Sequence, residues 1–225
     1  MVVGLKQKIY KDRQPTVDLF REIVESKLKK DSMVLNVGCG FIPFGIKGKC
    51  KQVIGIDLDE RARQNLDLDA VFIEDIKTFK YLEQFDIIII QWVVEHLENP
   101  REVFANLYRL LKINGNVIIL TSNSTHYISE IGKRTPYRFN KWFYKFIHAE
   151  EDTYPVYYRS NTPKKLYLDM VNAGFYLSRF EAIEPDPNYL EFSLPSYVIG
   201  IGMEKLLSTH MMWKFRRDMI GVFVK

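Results

Sequence analysis

Cysteine is nearly absent from this 225-residue chain, which has only Cys39 and Cys50. Two such residues make neither a disulfide framework nor a metal site, and a reducing, cytoplasmic setting is the expectation. Long apolar runs are missing too. None approaches the length of a membrane span, and the stretch from Met1 meets Lys6 too early for a signal peptide. Charge of one sign is scarce, since 32 Lys and Arg against 28 Asp and Glu leave a net charge of +4. That is too mild to argue for nucleic acid. No internal repeat or low-complexity tract is present. No cluster of His, Cys, Asp and Glu has metal-ligand spacing, so the metal-ligand set is none. A composition of 47% hydrophobic and 27% charged residues is that of an ordinary globular chain. Its length suffices for one well-buried domain with a small cap.

The pattern alternates between strand and helix. Val17, Leu19, Phe20, Ile23, Val24 and Leu28 form the stripe of an amphipathic helix over Thr16–Lys29. The apolar run Val34-Leu35-Asn36-Val37 is the first strand, and Gln52–Ile56, Ala70–Ile73, Phe85–Ile90 and Asn116–Thr121 are the next four. The fourth is apolar at successive positions, as a parallel strand buried on both faces should be. Asn99-Pro100-Arg101-Glu102 reads as an N-cap, a proline at the first helical position and an acid in the first turn. Thr162-Pro163 opens a helix that stops at Gly174. Phe175–Ile183 and Ile220–Val224 then read as two further strands. The fold class is α/β: a doubly wound, Rossmann-like, seven-stranded and mostly parallel sheet with an antiparallel C-terminal edge strand.

The first strand runs into Gly38-Cys39-Gly40, and the second ends in Asp57. Glycines let the backbone turn sharply and approach a ligand, and the helix start behind them offers unpaired N–H groups. An acid at the end of the second strand can accept hydrogen bonds from ribose hydroxyls. The combination describes a pocket for an adenosine-containing cofactor. A dinucleotide would prefer a further glycine where this chain has Pro43, which also lacks an N–H. That speaks against NAD.

Further stations follow in order: Glu74-Asp75-Ile76, then Phe85 to Trp92, then Val93-Val94-Glu95-His96-Leu97, and finally Leu110-Leu111-Lys112-Ile113-Asn114-Gly115-Asn116. With the glycine turn and Asp57, this series over residues 30–125 resembles the class I S-adenosylmethionine (SAM)-dependent methyltransferases. Within that family it looks most like small-molecule enzymes of the quinone-biosynthesis kind, with a weaker likeness to those of cell-surface sugar pathways. The resemblance implies SAM as cofactor and S-adenosylhomocysteine as product. It implies a binding set of Asn36, Gly38, Cys39, Gly40, Asp57, Leu58, Asp75, Ile76, Gln91 and Trp92. There are two departures. Asn36 stands where the family usually has an acid, and Ile42 where a third glycine is common. Asn36 can hydrogen-bond but gives the cofactor's ammonium no charge, so either SAM affinity is modest or a neighbouring carboxylate substitutes.

Methyl transfer from a sulfonium is an in-line displacement in which the protein aligns the acceptor and excludes water. A hydroxyl acceptor also needs a base, and His96, a few residues past the fourth strand, is the candidate. The alternative is a histidine that fixes the turn, and Glu95 beside it reads as a capping or solvent-facing residue. The exit from the fourth strand, Gln91-Trp92-Val93-Val94, lacks the Asn/Asp-Pro-Pro-aromatic pattern that accompanies methylation of exocyclic base amines. No cysteine stands there to serve as the nucleophile of a C5-pyrimidine enzyme. The acceptor is therefore expected to be a small molecule, a sugar or a lipid-linked precursor, methylated at oxygen. An RNA or protein methyltransferase and an inactive SAM-binding accessory subunit are the alternatives.

The whole chain, 1–225, reads as one domain: a cofactor-binding core over about 30–125, an aromatic cap over about 124–160, and a C-terminal region over about 161–225. The cap carries Tyr127, Tyr137, Phe139, Trp142, Phe143, Tyr144, Phe146, Tyr154, Tyr157 and Tyr158. It is either a lid or acceptor pocket, or a satellite core. The apolar stretch Leu194–Met203 reads as a buried helix, with docking on a partner subunit or a membrane surface as the alternative. A homodimer is the one protein partnership in view.

Overall fold

Strands that carry isoleucine and valine on both faces can be satisfied only between two helical layers, and the molecule is built that way. The computed structural model describes residues 2–134 and 154–225. The helices α1 (Val2–Tyr10) and α2 (Thr16–Glu25) come first, followed by β1 (Met33–Val37), β2 (Gln52–Asp57), β3 (Ala70–Ile73) and β4 (Phe85–Gln91). Then come α3 (Pro100–Leu110), β5 (Leu111–Ser122), α4 (Tyr127–Arg134), α5 (Pro163–Asn172), β6 (Tyr176–Ile183), α6 (Leu194–Leu207) and β7 (Asp218–Val224).

The seven strands lie in the order β3-β2-β1-β4-β5-β7-β6. The pairs β1–β2, β1–β4, β2–β3 and β4–β5 are parallel. Only β7 runs the other way, antiparallel to both β5 and β6. The antiparallel strand therefore sits one place inside the sheet, and β6 takes the outer position. The chain leaves β1 toward β3 and returns to the other side of β1 at β4. This reversal opens a crevice at the carboxyl ends of β1 and β4, where ligands bind in such folds.

The core is split by the sheet. Ile88 and Ile90 of β4 join Leu35, Ile56, Phe104, Leu107, Met170 and Phe223 on one face. Ile87 and Ile89 join Phe20, Ile23, Val24, Val34, Ile118 and Ile220 on the other. The period-two alternation of β4 thus serves both layers. Each fully buried side chain of this size contributes about 1.5–3 kcal/mol relative to exposure.

Helix ends follow local chemistry. The helix expected over Thr16–Lys29 stops at Glu25, where the Ser26 hydroxyl bonds the Ile23 carbonyl at 2.7 Å and competes with the backbone. Pro100 does start α3, but Asn99 makes no side-chain cap. Thr162 caps α5 by accepting from the Lys165 N–H at 3.1 Å. Helix α6 departs from the buried helix expected there. It buries Tyr197, Gly200, Ile201, Glu204 and Leu207 and leaves Val198, Ile199 and Leu206 exposed. Of the expected cap, α4 and residues 154–160 are described. Tyr137, Phe139, Trp142, Phe143, Tyr144 and Phe146 lie outside the described residues.

Candidate active site

The end of β1 makes the first wall. Gly38 has φ +65°, and a Cβ there would lie 2.2 Å from Cγ2 of Val93, just past β4. Two independent demands, a left-handed backbone and a close approach, make glycine obligatory. Its N–H donates to the Ile56 carbonyl at 2.8 Å and ties the turn to β2. Gly40 is also left-handed, at φ +51°. Its N–H donates to Asp57 Oδ2 at 2.8 Å, while Asp57 Oδ1 accepts from the Asp59 N–H at 2.9 Å. Asp57 is thus oriented by one backbone donor on each oxygen, and each oxygen retains a lone pair for a ribose hydroxyl.

Asn36 is buried near the end of β1. Cys39 is part of the core beneath the turn. Its N–H reaches the Ile56 carbonyl at 3.4 Å, and its carbonyl accepts from Asn65 at 3.1 Å. Burial, reinforced by the Asp57 charge, pushes its thiol up to about 12. Leu58, Phe41 and Ile42 are exposed around the turn and Asp57. Asp75 is exposed and accepts from the Lys77 N–H at 2.8 Å through Oδ1. Its neighbour Ile76 is buried in the core, with its carbonyl held by Asn106 Nδ2. The Glu74 N–H donates to the Asp57 carbonyl at 3.0 Å, which sets this segment against the end of β2.

Two residues that the sequence reading passed over brace the glycine turn. Asn65 donates through Nδ2 to the carbonyls of Cys39, Gly40 and Ile42, at 3.1, 3.1 and 3.2 Å. Asp67 accepts from the N–H groups of Gly45, Ile46 and Lys47, at 2.8, 3.1 and 2.9 Å. Both are buried. A pair of side chains satisfies six backbone groups of a loop with no regular structure of its own. The signal was present as Asn65-Leu66-Asp67, but its partners lie in a loop some 20 residues earlier.

The exit of β4 makes the opposite wall. Gln91 and Trp92 are half-buried there, and Trp92 has φ 56°. A left-handed tryptophan is strained, and its N–H bond to the Leu120 carbonyl at 2.8 Å helps hold it. Glu95 neither caps nor faces solvent. It is buried, accepting from the hydroxyls of Thr121 at 2.7 Å and Ser122 at 3.1 Å. Asn161 completes the network by donating to Thr121 Oγ1 at 2.7 Å. The Glu95 carbonyl accepts from the N–H groups of Tyr157 and Tyr158.

Residues 154–158 therefore form a strap between the two walls. Tyr154 donates its hydroxyl to Asp59 Oδ2 at 2.9 Å, beyond β2. At the other wall, His96 Nδ1 lies 2.8 Å from the Pro155 carbonyl, and its ring meets that of Tyr154 edge-on at 6.0 Å. The Arg61 side chain holds Asp59 well below the usual carboxylate range. Burial first, and the Asp59 bond second, raise the Tyr154 phenol. A carbonyl can only accept, so Nδ1 of His96 carries a proton, and Nε2 has no hydrogen-bond partner among the described residues. A second histidine, His126, is spent internally. Its Nδ1 accepts from the Ile128 N–H at 3.3 Å, and its Nε2 faces Glu184 at 3.2 Å.

These features fit SAM: an oriented carboxylate with free lone pairs at the end of β2, a left-handed backbone turn with open space at Gly40, and exposed apolar side chains for an adenine ring. Residues 35–119 match the family model described as a methyltransferase domain. The fold is shared with the N-methyltransferase NodS from Bradyrhizobium japonicum WM9, solved in complex with S-adenosyl-L-homocysteine. The two are 13% identical over 95% of this chain and 89% of that one, with a TM-score of 0.58. The cyclopropane synthase MmaA2 from Mycobacterium tuberculosis matches at 17% identity over 93% and 82%, also with a TM-score of 0.58. A putative SAM-dependent methyltransferase from Listeria monocytogenes matches at 14% identity over 92% and 99%, with a TM-score of 0.56. No curated protein sequence matches the chain. The fold is that of the class I methyltransferases, with its crevice at the β1–β4 reversal. The match to a methyltransferase domain covers residues 35–119, and the chain as a whole shares its fold with the methyltransferases named above.

Proposed function

We propose that the protein transfers the methyl group of SAM to an oxygen of a small metabolite or of a glycan or lipid precursor, with His96 as the base. The observation that carries this reading is the placement of His96 just past β4, with Nδ1–H committed to the Pro155 carbonyl and Nε2 without a hydrogen-bond partner among the described residues. A positioned imidazole of this kind can take a hydroxyl proton as the acceptor attacks. The cofactor supplies an already activated methyl group. Asp57 would hold the ribose, Gly38 and Gly40 would let the backbone approach, and Asp75 with Ile76 would meet the adenine. Gln91 and Trp92 line the exit of β4, where the methionine arm and the acceptor would converge. The strap of residues 154–158 crosses between the walls and would help to exclude water.

The test is a screen of sugars, phenols and lipid-linked hydroxyl compounds with labelled SAM, with amines included because NodS is an N-methyltransferase. His96→Gln should lower kcat about 10²–10⁴-fold on a hydroxyl acceptor and leave S-adenosylhomocysteine affinity unchanged. Equal turnover by the variant would remove the base assignment. Tight S-adenosylhomocysteine binding without turnover on any acceptor would favour an accessory subunit instead.

A further inference from the structure

Helix α6 is apolar on nearly every side, yet only one side is buried. A helix of that composition is ordinarily enclosed. Here Val198 is 53% exposed, Ile199 65% and Leu206 52%. At about 100° per residue, Pro195, Val198, Ile199, Gly202 and Leu206 fall on one stripe. Glu204 lies diametrically opposite, buried and bonded to Arg13 at 2.6 Å and to the Tyr10 hydroxyl at 3.2 Å. Those contacts hold α1 and the body of the protein on the far side, so the stripe faces away from them.

Along the chain from Phe192 to Phe215 the exposed charges have one sign. From Phe192 to Phe215 the only acid is the inward Glu204. The exposed ionic groups of that stretch are Lys205, on the flank of the stripe, and Lys214, whose ammonium lies 5.7 Å from the Trp213 ring. Met211 is 87% exposed, and Phe192 and Phe215 are exposed as well. Apolar side chains interleaved with lysines, with the neighbouring Glu191 already paired to Lys6 at 2.6 Å, complement a surface that is anionic outside and hydrocarbon beneath. Among the described residues, no helix is long and apolar enough to cross a membrane, so such a contact lies on the surface.

We propose that the α6 stripe and the adjoining Met211–Phe215 segment dock this protein on a bilayer containing anionic lipid. This rests on no assumption about the methyl acceptor or His96. The test is co-flotation of the full chain with vesicles of phosphatidylcholine alone, or with roughly one-third phosphatidylglycerol. Wild type should float with the anionic vesicles and much less with the neutral ones. Lys205→Glu should weaken binding by about fivefold or more. Val198→Asp with Ile199→Asp, and Leu206→Glu separately, should abolish flotation while keeping the wild-type circular dichroism and Tm. Three results would overturn the proposal. One is absence of flotation at low salt, and a second is flotation unchanged in both stripe variants. The third is a solution dimer that these variants dissociate without any vesicle binding, which would assign the stripe to a second copy of the chain.

Discussion

Gly38 shows how a single missing Cβ can serve two elements. Gly38→Ala must adopt a left-handed backbone and also displace Val93, whose Cγ2 would be 2.2 Å away. A loss of about 2–4 kcal/mol is expected in denaturant unfolding. Adding Val93→Ala should recover only part of it, because the backbone strain remains. Cys39 offers a second check at this scale. Its thiol is held protonated, pushed up to about 12 from an ordinary value near 9 by burial and Asp57. The raised value means that the folded state keeps a proton which the unfolded state gives up. The stabilisation is present below pH 9 and is lost as pH rises toward 12. Alkylation at pH 8 should therefore leave Cys39 unmodified until the protein unfolds, as mass spectrometry of the Cys39 peptide would read out. The juxtaposition of Asp57 with the glycine turn was legible because it depends on sequence neighbours and one strand spacing. Glu95 was misread because its burial depends on Thr121, Ser122 and Asn161, which only the assembled sheet brings near.

Between elements, the glycine turn has little regular structure and depends on Asn65 and Asp67. Asn65→Ala removes the donor shared by three carbonyls and should cost about 1–3 kcal/mol. It should also weaken S-adenosylhomocysteine binding without touching the ligand, which isothermal titration would show as a higher Kd. Asp57→Ala should weaken binding further, since it removes both the proposed ribose acceptor and the Gly40 anchor. The strap gives a separate expectation. Tyr154→Phe deletes the bond to Asp59 and should speed S-adenosylhomocysteine dissociation in stopped-flow measurements, with little change in Tm, because the bond is exposed. An unchanged dissociation rate would show that the strap does not govern release. Neither the Asn65–Asp67 brace nor the strap could be read from periodicity, because each joins segments that have none.

At the level of the molecule, the alternation of strand and helix was enough to read a doubly wound sheet, and β1 to β4 fall close to where apolar runs and turn residues put them. By contrast, β5 begins at Leu111, five residues before the expected Asn116. Less of the C-terminal third was legible. Helix α6 was read as buried because hydropathy reports composition and does not register which side meets the body. The strand order has a consequence for how the protein is made. Strand β6 pairs with β7 and with no other described strand, although β6 precedes it in the chain. During synthesis, β1 to β5 can align while β6 has emerged and still has no place to join. Until Asp218–Val224 follows, the apolar flank of β5 stays open to the solvent. A chain that has aligned only β1 to β5 therefore carries an unprotected edge on β5, and Asp218–Val224 is the segment that covers it.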